Sequence, residues 1–169
     1  MSQAKDRFDQ QRGDIDQLWG IHQEVAGQGA GRKHGVDVIN RAAIVFITAC
    51  WESYVEDACL EAYDFLLANA SEPDNFPARV RTLASKSLRE SLDHTQIWRL
   101  AGEGWKQVLT DHRDAVKTKW LDTLNTPKTA QVNGLYNELL GLANLSGSWS
   151  WQRMSSQQAS EKLDNYITV

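Results

Sequence analysis

Arg89 and His94 stand with four residues between them in the run Arg89-Glu90-Ser91-Leu92-Asp93-His94. A guanidinium holds a phosphate through paired hydrogen bonds, and an imidazole moves a proton near neutral pH. Arg-x-x-x-x-His is therefore a spacing that phosphodiester chemistry can use. Five residues is about one and a half helical turns, so the two side chains share a face only where a helix ends or bends between them. The spacing is also common by chance. Arg41 and Glu52 are the other charged residues that stand out, because both fall on or near the apolar stripe of a long helical pattern. Charge in such a place is rarely buried unless paired. The two lie about 16 Å apart along a helix and cannot pair with each other. Each is either a structural tether or a supporting group in a polar site. His22, on an apolar helix side, reads as a core histidine bonded to a carbonyl. With no His-Glu-x-x-His, no Cys-x-x-Cys and scattered histidines, the sequence points to no metal and no cofactor. A Ser or Cys nucleophile with a paired base is not legible either.

These residues must be positioned by helices. The pattern from Val36 to about Asn69 reads as one long helix of roughly 30 residues, about 45 Å at 1.5 Å per residue. With Arg41 set at 0°, Val45, Thr48, Glu52, Val55, Cys59 and Leu66 form one stripe, flanked by Ile44, Trp51 and Ala58. Ser53, Asp57, Glu61 and Asp64 lie opposite, as a solvated face. The first half, Ala42 to Trp51, is uncharged and apolar all round, with Phe46 and Cys50 on the opposite side. It is expected to be enclosed by other helices or by a second subunit. Cys50 and Cys59 are nine residues apart on opposite faces and cannot bridge.

Before this helix, Gln3 to about Ala26 forms a first one, with Phe8, Ile15, Leu18, Trp19, His22 and Val25 on its inner side. The glycine-rich run from Gly27 to Gly35 is a flexible connection. It is no phosphate loop, because no strand precedes it and no Gly-Lys-Ser/Thr ends it. After the central helix come a turn cluster at Ser71–Pro77, a short helix from Ala78 to about Ser91, an apolar stretch from Thr95 to Ala101, and a helix from Trp105 to about Leu124. Asn125-Thr126-Pro127 restarts the chain. Val132, Leu135, Tyr136, Leu139 and Leu140 recur at i, i+3, i+4, i+7 and i+8, the clearest amphipathic signal present. Trp149 and Trp151, in the loop Ser146–Trp151, are expected to seal the bundle rather than to stack bases. A last helix, capped by Ser155 or Ser156, carries Ala159, Leu163, Tyr166 and Ile167. Its periodicity is unbroken at Val169, which suggests truncation. No segment alternates with the period of a strand. The fold expected is all-α, five to seven helices packed as a single domain over residues 1–169 around the long central one, without its C-terminal end.

Charge is uneven along the 169 residues. Residues 1–78 carry six Lys/Arg and thirteen Asp/Glu, net −7; residues 79–119 carry nine and five, net +4; residues 120–169 carry three and four, net −1. The basic middle is either a phosphate-facing patch or the solvated face of two helices. The N-terminus shows no apolar signal region, and the longest uncharged run is short of the ~20 residues of a membrane span. The expectation is a cytoplasmic protein with no membrane partner.

Asn40-Arg41-Ala42-Ala43-Ile44-Val45-Phe46 and Trp51-Glu52-Ser53-Tyr54-Val55-Glu56 resemble the long helix of HEPN domains, most closely the RiboL-PSP-HEPN branch. Thr126-Pro127-Lys128, then Leu135-Tyr136-Asn137-Glu138-Leu139-Leu140-Gly141-Leu142, then Trp149-Ser150-Trp151, then Ala159 and Leu163 resemble the last third of that branch in order and spacing. The resemblance implies an α-helical bundle that forms a homodimer and, in active members, cleaves RNA without a metal. It implies a catalytic Arg followed four to six residues later by His on the final helix, just after a stretch like Leu163-Asp164-Asn165-Tyr166-Ile167-Thr168-Val169. The sequence stops there, so no catalytic residue is assigned within it. Arg89 and His94 match the spacing but not the place. Glu52, Asn40 and Arg41 are the residues to which a site-supporting role transfers.

The leading expectation is a HEPN-type endoribonuclease of a toxin–antitoxin or anti-phage defence system, with RNA as substrate and an antitoxin or other protein as partner. The alternatives are a non-catalytic helical module for dimerisation or partner binding, and a regulator holding a small ligand among its tryptophans.

Overall fold

The computed structural model describes residues 2–27, 35–121 and 127–168. Among the described residues every regular element is helical. They are α1 (Gln3–Ala26), α2 (Asp37–Asn69), α3 (Ala78–Ala84), α4 (Lys86–Glu90), α5 (Gly104–Leu121), α6 (Thr129–Leu140) and α7 (Ser156–Thr168). Short 3-10 turns occupy Pro73–Asn75, His94–Leu100 and Leu145–Ser148. The all-α class expected from the sequence is what the structure shows. Most of the glycine-rich connection, the restart at Asn125-Thr126 and the unbroken end at Val169 lie outside the described residues.

The chain sorts into two compact units, Met1–Ala58 and Cys59–Val169, and α2 contributes to both. α2 holds 33 residues without Gly or Pro, so nothing in its interior breaks the backbone ladder. By length and composition it is apolar enough to cross a membrane, which corrects the count made from uncharged residues alone. That count stops at every charge, whereas a helical window tolerates one or two at its margins.

In the first unit α1 runs antiparallel to α2. Arg7 pairs with Asp57 at 3.1 Å, and the Phe8 and Tyr54 rings lie 4.8 Å apart. Asp14, further along α1, acts electrostatically on Cys50, further back on α2. Ser2 caps α1 by accepting the Lys5 amide at 3.2 Å. At 100° per residue, Cys50, Tyr54 and Asp57 cluster near 180° from Arg41. The helix partner thus sits on the side read as solvated, and Asp57 is neutralised by α1. The stripe around Arg41 and Val45 faces outward instead: Arg41 is exposed and Val45 keeps 70% of its surface exposed. In the uncharged half of α2, Cys50 on the α1 side is buried, whereas Ile44, Val45 and Ile47 are exposed. On α1, Phe8, Ile15, Leu18 and His22 are half-buried, while Trp19 and Val25 are exposed.

In the second unit α3, α5 and α6 pack on one another around Val80, Val108, Leu109, Val116, Val132, Leu135 and Leu139. The end of α2 supplies Tyr63, fully buried beside Phe76, with ring centroids 5.4 Å apart. Its hydroxyl donates to the Leu109 carbonyl at 2.8 Å, which satisfies the buried polar atom. Asn133-Gly134, a turn signal in sequence, lies inside α6 because Gly134 gives room to Trp120. A Cβ there would stand 2.8 Å from the indole. Gly141 ends α6 with φ +70°, and the Gly141 and Leu142 amides donate to the Asn137 and Tyr136 carbonyls, a glycine-terminated helix end. The helix expected over Ala78–Ser91 is broken at Ser85, whose hydroxyl donates to the Arg81 carbonyl at 2.8 Å.

Candidate functional site

Asn40, Arg41 and Glu52 all lie on the part of α2 within the first unit. Asn40 and Arg41 are exposed and Glu52 is half-buried. Eleven residues of helix, about 16 Å, separate Arg41 from Glu52, so the structure does not gather the three into one cluster. Arg41 needs no buried partner, because the stripe that carries it is open. His22 departs from the expected carbonyl bond: it stacks on Trp19 with centroids 5.0 Å apart, and its buried Nδ1 has no hydrogen-bond partner.

The helix does end between Arg89 and His94, at Glu90. Arg89, however, donates from Nη2 to the Thr82 carbonyl at 3.0 Å, taking up an acceptor at the broken end of α3. Its guanidinium is a local backbone clamp. His94 opens the next 3-10 turn, which Asp93 caps by accepting the Thr95 amide at 3.0 Å.

A cavity of about 470 Å³ opens in the second unit between α3, α4 and α5. Leu83, Leu88 and Val108 give it apolar walls, and Lys86, Arg99, Asp111 and His112 bring polar groups to it. His112 Nε2 lies 3.0 Å from the Glu138 carbonyl. A carbonyl only accepts, so Nε2 carries the proton and Nδ1 is left as the acceptor of the neutral ring. Asp111 accepts from Gln107 at 2.8 Å and from Arg99 at 2.6 Å. The Gln107 amide first, and then Arg99, hold its carboxyl below the usual carboxylate range. The polar residues at this cavity come from three elements, so no spacing along the chain signals their meeting. His112 was legible only as part of the inner stripe of α5. Among the described residues no three or more His, Cys, Asp or Glu side chains gather as metal donors.

α7 is anchored at the other end of α6. The Thr129 amide, in the first turn of α6, donates to the Asp164 carboxylate at 2.8 Å. Asp164 therefore caps one helix while belonging to another, which fixes where α7 runs. Ala159 is buried on the same helix. Asn133 reaches from α6 to Ser146, donating to its hydroxyl and accepting its amide, both at 2.9 Å. These bonds hold the segment that leads into α7. Within it Trp149 is half-buried, whereas Trp151 leaves 58% of its surface exposed. The expected plug thus fits Trp149 better than Trp151. Trp151 and Met154 close a tight turn through their backbones, at 3.1 and 3.4 Å.

No curated protein and no solved structure matches the chain. The model of the RiboL-PSP-HEPN family matches residues 17–169. That span takes in the end of α1, all of α2 and every element of the second unit through α7. With an all-helical architecture and a family match over nearly its whole length, the chain belongs to the RiboL-PSP-HEPN family.

Proposed function

We propose that this domain is the body of a HEPN-type endoribonuclease, cytoplasmic and homodimeric, acting in a toxin–antitoxin or anti-phage defence setting. The observation that carries the reading is the family match, which runs to residue 169 along a helix whose direction is fixed by the Asp164–Thr129 bond. In the proposed reaction an Arg/His pair of the Arg-x4–6-His type does the chemistry. The imidazole takes the proton from a ribose 2′-hydroxyl, whose oxygen attacks the adjacent phosphorus. The guanidinium stabilises the charge that grows on the phosphate oxygens, and the 5′-oxygen leaves with a proton. The product is a 2′,3′-cyclic phosphate, and no metal takes part. Asn40, Arg41 and Glu52 are proposed as polar support from α2.

The exposed apolar side chains of the first unit support the dimer. Val38, Ile44 and Val45 of α2, with Trp19, Ile21 and Val25 of α1, are all at least 48% exposed. Side chains of this kind are usually covered in an assembly. A second copy of the chain is the proposed cover, and it brings two catalytic pairs together across a two-fold axis. The same side chains also favour a second reading, in which the domain dimerises or docks a partner without catalysis.

The two readings separate in one experiment. The gene is read through past Val169, and the histidine of the Arg-x4–6-His found there is changed to alanine. Wild-type protein is expected to yield 2′,3′-cyclic phosphate ends in the presence of EDTA and to be toxic in cells, and the variant to do neither. Absence of the signature, or equal cleavage by the variant, leaves the non-catalytic reading.

A further inference from the structure

The turn that leads into α7 combines three features seldom found together. Trp151 is a large aromatic with 58% of its surface exposed, held rigidly because its backbone closes on Met154 from both sides. Arg153 occupies the third position of that four-residue turn with φ +68°, the only positive φ among the described non-glycine residues. That position is usually filled by glycine or asparagine, because an L side chain is strained there. Its guanidinium is exposed and has no ion pair or hydrogen bond among the described residues. Trp149 stands behind Trp151 at 6.3 Å between centroids, edge to face, and so braces the ring.

Stability alone favours none of this. A glycine at 153 relieves the backbone, and a polar residue at 151 removes exposed apolar surface. Strain kept in place beside a solvent-facing aromatic is a pattern of binding sites. A flat, braced indole with a free cation two residues away fits one ligand chemistry, an unpaired nucleobase followed by its phosphate. We infer that the Trp151–Arg153 turn is a contact site for single-stranded RNA, in which Trp151 stacks on a base and Arg153 meets the adjoining backbone phosphate. The inference rests on the reading of the domain as one that acts on RNA, and it adds where the substrate is held. α7 spans 13 residues, about 20 Å at 1.5 Å per residue. A base held at this turn thus lies a few nucleotides from a strand position at the far end of the helix.

The test is binding of fluorescein-labelled r(A)12 by anisotropy, with gel analysis of the oligomer after each titration so that binding is read apart from cleavage. Trp151→Ala is expected to weaken binding about 5- to 150-fold, the range for stacking one base on an aromatic ring, and Trp151→Phe to restore most of it. Arg153→Gly is expected to keep or raise the melting temperature while lowering the slope of log affinity against log salt by about 0.7, one phosphate contact to a single strand. Arg153→Lys keeps the slope. An abasic oligomer of the same length binds wild type and Trp151→Ala alike. Equal affinity of wild type and Trp151→Ala for r(A)12, or no saturable binding by either, overturns the inference. So does a change in oligomeric mass on Trp151→Ala with RNA affinity unchanged, which assigns the turn to a protein interface. Failure of the nuclease reading looks different: r(A)12 binding keeps its dependence on Trp151 while the protein cleaves no RNA.

Discussion

Leu139 on α6 is wholly buried, whereas Val45 on α2 keeps 70% of its surface exposed. The two residues are of similar character and both lie within helices, but they belong to different compact units. In Cys59–Val169, several short helices meet from different directions and enclose Tyr63, Phe76, Val80 and Leu139 on all sides. In Met1–Ala58, α1 and α2 cover one side of each other and leave Arg41, Ile44 and Val45 open. A pair of helices buries one stripe apiece. An apolar residue on the opposite side has no partner within the pair. Apolar character all round a helix is thus not matched by burial within the pair, and the proposed dimer is what would cover it.

Core truncations measure that difference most strongly. Leu139→Ala is expected to cost about 2–5 kcal/mol, the range for a buried leucine, whereas Val45→Ala changes the stability of the isolated chain by less than about 0.5 kcal/mol. Urea unfolding of both variants, at a protein concentration low enough to separate subunits, reads the contrast. Equal losses would erase the distinction between the units.

Association is the next handle. Val45→Asp places a charge at the centre of the exposed face, and it is expected to raise the dimer dissociation constant at least about tenfold, equal to 1.4 kcal/mol. Helical circular dichroism stays unchanged. A dimer that survives the substitution places the interface elsewhere.

Alkaline pH sharpens the contrast from the second unit. Burial pushes the Cys59 thiol from its ordinary value near 9 up to about 12. Burial also raises the Tyr63 hydroxyl, against the pull of Arg113. The unfolded chain ionises both groups first, so stability is full below pH 9 and drains as pH climbs toward 12. Cys59→Ala should flatten part of that decline in urea midpoints recorded between pH 8 and 11. An unchanged decline would leave Cys59 out of it.

Two smaller effects probe how α6 is built. Gly134→Ala adds a methyl against Trp120 at 2.8 Å. Its overpacking cost of about 1–3 kcal/mol outweighs the helix-propensity gain of about 1 kcal/mol, and pairing it with Trp120→Phe recovers stability. Asp164→Ala removes the acceptor for the Thr129 amide and is expected to cost about 1 kcal/mol, with faster amide exchange along α7. A Gly134→Ala protein of raised melting temperature would mean that the indole moves aside freely.

Much of the helical order was legible because it rests on local chemistry. α2 begins within one residue of the expected start and ends at Asn69, since its 33 residues lack a breaker. The apolar spacing of α6 survives as the burial of Val132, Leu135, Leu139 and Leu140. What was not legible depends on contacts between distant residues. The face of α2 that meets α1 is chosen by Phe8, Arg7 and Tyr54 together, and a helical wheel of α2 alone places it on the wrong side. The break at Ser85 follows from a serine bonding back to the Arg81 carbonyl, a choice that serine leaves open in sequence. For the site, the family pattern located α7 and the tryptophans before it. The polar groups at the His112 cavity and the strained Arg153 have no one-dimensional signal. Arg41 and Glu52 stand out in sequence as charge on or near an apolar stripe, and Asn40 enters only through the family resemblance. The stripe proves open around Arg41, so that argument for a buried partner holds only for the half-buried Glu52.

What covers the α1–α2 face is decided most directly by the mass of the protein in solution. Sedimentation equilibrium at micromolar concentration should give twice the 19.1 kDa of the chain, falling to the single-chain mass for Val45→Asp. A wild-type protein that stays at 19.1 kDa across the concentration range would contradict the dimer, and with it the assembly proposed to bring two catalytic pairs together.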